Sequence, residues 1–132
     1  MFQDILLAVD GSDHSVKAAE KAVELTGGNG LIEVVFVVDG SAPVDDDVNE
    51  LKAGERKKIQ RVEDVISQTA LSYELVLLQG DPGPTLVDYA NRRPYDCVVL
   101  GSRGLNTLKS MVLGSVSHKV ASRVKWPVLI VK

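Results

Sequence analysis

Five short runs of Val, Ile and Leu punctuate the chain: Ile5 to Val9, Ile32 to Val38, Leu75 to Leu78, Cys97 to Leu100 and Val128 to Val131. Most are apolar almost throughout instead of alternating, which is what strands covered on both faces require. Helical spacing fills the intervals. Val16, Ala19, Ala22 and Val23 follow the cap-forming Ser12 and Asp13, and this helix stops at Gly27 and Gly28. Val48, Leu51, Ile59, Val62, Val65 and Ile66 mark a longer second helix. Leu86, Val87, Tyr89 and Ala90 mark a short third one opened by Pro84, and Val116, Val120, Ala121 and Val124 a fourth. The alternation predicts an α/β fold: a doubly wound, five-stranded parallel sheet of order 3-2-1-4-5, Rossmann-like, in one domain over residues 1–132.

Such sheets bind ligands outside the carboxyl ends of their strands, where the strand order reverses. With this order the reversal lies between strands one and four. Asp10-Gly11-Ser12 follows strand one directly, and Gly101-Ser102-Arg103-Gly104 follows strand four. The second segment continues as a long loop to Gly114-Ser115, which opens the fourth helix. Glycine lets a backbone approach a phosphate closely, and the free N–H groups of a helix start favour an anion. Ser115 can donate its hydroxyl there or cap the helix. No G-x-x-x-x-G-K-[ST] occurs, and Gly28-Asn29-Gly30 precedes a strand and reads as a turn.

Charge narrows the partners. Net charge is −3 over 132 residues, without the basic face that a nucleic-acid binder needs. Arg56-Lys57-Lys58 and Arg61 share their helix with Glu55, Glu63 and Asp64, as a solvated face does. Asp45, Asp46 and Asp47 suit the positive end of a helix dipole better than a metal. Cys97, the single cysteine, stands in an apolar run and packs as a small hydrophobe. No leader peptide or membrane-length apolar segment is visible, so a soluble cytoplasmic protein with no membrane partner is expected. His14 and His118 are expected exposed and inert. Asp10, Ser12 and His14 lie too close in sequence for a catalytic triad. No residue outside the phosphate loop stands out to orient an attacking water, so a binding protein is expected ahead of an enzyme.

At these residues the chain resembles the universal stress protein family, whose nucleotide-binding branch carries G-x2-G-x9-G-[ST]. Gly101, Gly104, Gly114 and Ser115 match that pattern at every position. The opening Ile5 to Ser12 and the ending Trp126 to Val131 also look like the family's first strand and turn and its last strand. The resemblance implies ATP or a related adenine nucleotide with Mg2+ or Mn2+. It implies that Asp10 meets the ribose or the metal-bound phosphates, that Val37 meets the adenine edge, and that Leu100 lines the pocket. Gly101, Gly104, Gly114, Ser115 and Val116 then hold the phosphates, with Arg103 placed to add charge. Phe36 stands where many members have histidine, and Trp126 where a small residue or cysteine is common. The apolar last strand lies at a sheet edge, and the resemblance implies a homodimer through it. The function expected is nucleotide-dependent regulation in a stress response. The alternatives are a weak ATPase or an autophosphorylating enzyme, with Ser110 or Ser115 as acceptor, and an interaction module without nucleotide.

Overall fold

Alternation inside the strands decides which helices cover which face. The computed structural model describes residues 2–10, 12–38, 53–102 and 115–132. Its elements are β1 (Asp4–Val9), α1 (Asp13–Thr26), β2 (Leu31–Val38), α2 (Ala53–Ser67), β3 (Ser72–Gln79), α3 (Pro82–Ala90), β4 (Cys97–Gly101), α4 (Ser115–Arg123) and β5 (Val128–Val131). All neighbouring strands are parallel, in the order β3-β2-β1-β4-β5 that the sequence predicts.

Ile5, Leu7 and Val9 of β1 join Ile32, Val34 and Phe36 of β2 and Cys97 and Val99 of β4 in one core, closed by Ala18, Ala19 and Ala22 of α1 and Ile59, Val62 and Ile66 of α2. The intervening Leu6, Ala8, Val35, Val98 and Leu100 form a second core with Leu86 and Ala90 of α3 and Val120 of α4. Phe36 is therefore a core residue. Burial also pushes the Cys97 thiol above its usual range, which keeps it protonated and unreactive.

Element ends show local chemistry at work. Gly27 takes the left-handed conformation (φ 65°) and its N–H donates to the Glu24 carbonyl at 3.1 Å, closing α1. Helix α3 begins at Pro82, earlier than the apolar spacing suggests, because proline fits a first helical position. Helix α4 ends at Arg123, although the Val124 N–H still donates to the Val120 carbonyl at 3.0 Å. Strand β3 starts three residues before its apolar run. Ser72 and Glu74 at its start are exposed, while Leu75 and Leu77 face the first core and Val76 and Leu78 the second. Val48, Leu51 and Asp45 to Asp47 lie outside the described residues. Among the described residues, no helix is long and apolar enough to cross a membrane. Arg56 and Lys57 are exposed, and Arg61 pairs with Asp13 of α1 at 2.9 Å, both groups largely solvated.

The amino ends of the strands hold a buried acid. Glu33, the third residue of β2, is 6% exposed. Its carboxylate accepts hydrogen bonds from Tyr89 of α3 at 2.9 Å and from Tyr95, and the Arg93 guanidinium lies 3.5 Å away. Arg93 also forks onto Asp4 at 2.6 and 3.3 Å and covers the Tyr95 ring at 4.0 Å. Asp96 accepts the Gln3 and Asp4 backbone N–H groups, which hold its carboxyl below the usual range. The cluster ties β1, β2 and α3 to the turn before β4.

Burial first, then the bond to Glu33 and its charge, push the Tyr95 hydroxyl well above the ordinary tyrosine value. The folded chain thus holds a proton that the unfolded chain releases near pH 10. This stability is present below about pH 10 and is lost as pH rises further. Tyr95→Phe should destabilise the fold by about 1–3 kcal/mol at neutral pH, because it strips a donor from a buried carboxylate. Its urea midpoint should then fall less between pH 9 and 11 than that of the parent. An equally steep fall in both proteins would mean that Tyr95 carries no such proton.

Candidate functional site

The register sets the carboxyl ends of the strands level. Ala8 of β1 lies beside Val35 of β2 and Leu100 of β4, and Val9 lies beside Phe36. One step on, Asp10, Val37 and Ser102 occupy the same level, with Gly101 just beneath. The reversal of strand order, where sheets of this kind hold ligands, thus lies at Asp10, Leu100 and Gly101, with Val37 on its β2 side.

Two helix starts converge on the end of β4. The Ser117 hydroxyl, in the first turn of α4, donates to the Gly101 carbonyl at 2.8 Å, with the Ser102 carbonyl at 3.2 Å. The first turn of α1 passes over the other side. A Cβ added to Gly101 would come within 2.6 Å of the His14 Cβ and 3.1 Å of the His14 carbonyl. Only glycine lets α1 sit this close. The positive ends of two helix dipoles therefore flank the same backbone segment, an arrangement that favours an anion. Ser115 opens α4, and Val116 follows it, half-buried. Arg103, Gly104, Gly114 and Ser110 lie outside the described residues.

Asp10 is built into a turn. Its Oδ1 accepts the Ser12 N–H at 2.9 Å and the Ser15 hydroxyl at 2.8 Å, while its own N–H donates to Ser15 Oγ at 2.9 Å. Asp10 is exposed, and among the described residues its Oδ2 has no partner. Ser12 is the N-cap of α1 by position, yet its hydroxyl makes no cap bond. Among the described residues, the buried Ser12 Oγ and His14 Nδ1 have no hydrogen-bond partner. His14 is half-buried against Gly101, where the sequence suggests an exposed side chain, because the missing Cβ draws the helix down onto it. His118 is exposed, as expected. Ser15, 2% exposed, is the residue that sequence reasoning misses. Its signal is a hydroxyl residue at the third helical position, five residues after an aspartate.

The Universal stress protein family profile matches residues 1–132. The chain belongs to the universal stress protein family. Universal stress protein YxiE of Bacillus subtilis is 31% identical over 150 residues, with all of both chains covered. The solved structure of universal stress protein UspA from Lactobacillus plantarum matches with a TM-score of 0.82 at 25% identity, over 99% of this chain and 98% of that one. A universal stress protein solved in complex with cAMP matches with a TM-score of 0.74 at 26% identity, over 99% and 97% of the two chains. In this universal stress protein Trp126 has work within the subunit. Its indole N–H donates to the Ala90 carbonyl at 2.7 Å, and the ring packs on the second core.

Proposed function

We propose that this universal stress protein binds an adenine nucleotide, ATP first among them, in the crevice between β1 and β4, and that occupancy regulates a stress response. The observation that carries the reading is the convergence of the α1 and α4 starts on Gly101, beside a Ser12 Oγ and a His14 Nδ1 that have no partner among the described residues. Buried polar atoms without partners are uncommon in native proteins, and a site that takes a polar ligand is where they collect. The relative that binds cAMP supports the same ligand class.

In this reading Gly101, Gly104, Gly114, Ser115 and Val116 hold phosphate oxygens, chiefly through backbone N–H groups, and Arg103 adds charge. Val37 meets the adenine edge and Leu100 lines the pocket. Asp10 meets the ribose or a phosphate-bound Mg2+ or Mn2+ through Oδ2. Among the described residues, no three His, Cys, Asp or Glu side chains cluster to hold a metal. The donor set thus fits a cation carried mainly by phosphates, with Asp10 as its protein ligand. Such a cation would supply charge neutralisation to the phosphates.

Purified protein, denatured and run on a calibrated anion-exchange column, should release adenine nucleotide, and Gly114→Val should release none. Empty protein that also ignores added ATP with magnesium would overturn the reading.

The same protein is proposed as a two-fold homodimer through β5. Among the described residues that strand pairs only with β4, and all four of its residues, Val128 to Val131, are half-exposed at the sheet edge. Sedimentation at micromolar concentration should give about twice 14.2 kDa. A single species at the subunit mass would rule the dimer out.

A further inference from the structure

The Asp10 turn divides the carboxylate into two atoms with separate tasks. Oδ1 is consumed locally by the Ser12 N–H and the Ser15 hydroxyl, and among the described residues Oδ2 has no partner. Ser15 closes a reciprocal pair: it receives the Asp10 N–H and returns its own proton to Oδ1. It is 2% exposed and sits on a helix whose Ala18, Ala19 and Ala22 are locked into the core. The hydroxyl is therefore fixed by the core, and it fixes the carboxylate in turn. A free aspartate rotates about two side-chain bonds, so holding one oxygen removes the rotamer freedom that ligand binding would otherwise have to quench.

We infer that Ser15 is the positioning residue for nucleotide binding in this protein: it anchors Oδ1 so that Asp10 presents a single oxygen, Oδ2, to the ribose or the phosphate-bound cation. The inference rests on the nucleotide reading above. It sets the class of contact, since one carboxylate oxygen can accept from a hydroxyl or enter a cation's shell, but cannot chelate with both oxygens. Ser15 touches no ligand and acts only through Asp10.

A double-mutant cycle on full-length protein separates this role from mere support of the fold. ATP with magnesium is titrated calorimetrically into the parent, Ser15→Ala, Asp10→Ala and the double variant, with thermal unfolding followed for each. Ser15→Ala should weaken ATP binding about tenfold, the scale of one hydrogen bond to a charged group. In the Asp10→Ala background the same change should leave affinity unaltered, while its effect on unfolding temperature persists. If Ser15→Ala fails to fold, Ser15→Cys keeps the size with a weaker donor and should bind with intermediate affinity. An equal loss in both backgrounds, or unaltered binding by Ser15→Ala or Ser15→Cys, would overturn the role of Ser15 while leaving nucleotide binding intact. A parent protein that does not bind ATP would instead remove the reading on which the inference stands.

Discussion

Two-sided burial of the central strands is the constraint from which the rest follows. Ile5 to Val9 of β1 and Cys97 to Leu100 of β4 are all buried, so neither face of the sheet can meet water. Helices must cover both sides, which forces crossover connections and parallel strands. The direction of winding must then change once. It changes between β1 and β4, which are hydrogen-bonded neighbours although not consecutive in the chain. A crevice lined by backbone and by two helix starts is thus a consequence of where the apolar residues fall.

The two ends of the sheet treat polar groups in opposite ways. At the amino end, Glu33, Tyr89, Tyr95, Arg93, Asp4 and Asp96 satisfy one another. Such closed networks hold a fold in one arrangement and offer nothing to a ligand. At the carboxyl end, among the described residues, the buried Ser12 Oγ and His14 Nδ1 have no partners and Asp10 keeps one oxygen free. This contrast between the two ends is the physical ground for the proposed nucleotide site at the carboxyl end.

The architecture was legible because it follows from periodicity. Strand runs, helix spacing and their alternation are local patterns, and the strand order, the two covered faces and the reversal point all follow from them. The sequence also places Asp10 directly after strand one and Gly101 at the end of strand four, the two strands that meet at the reversal. What stayed hidden depends on contacts between distant residues. Glu33 reads as a lone charge in an apolar run, and its partners come from residues 56 and 62 positions away. Ser15 looks like one more small helix residue until the turn returns Asp10 to it. His14 looks exposed until the absent side chain of Gly101 lets α1 settle on β4. The start of β3 is obscured because Ser72 and Glu74 are exposed there and leave fewer apolar positions to mark the strand.

The central claim is that the carboxyl end of the sheet binds an adenine nucleotide while the amino end is structural. Titrating ATP and magnesium into isotope-labelled protein, and following backbone amide resonances, tests it most directly. The account predicts saturable shifts at Asp10, His14, Ser15, Gly101, Ser102 and Val116, with Glu33, Tyr89 and Tyr95 unmoved. Shifts confined to the amino end, or none at millimolar ATP, would contradict it.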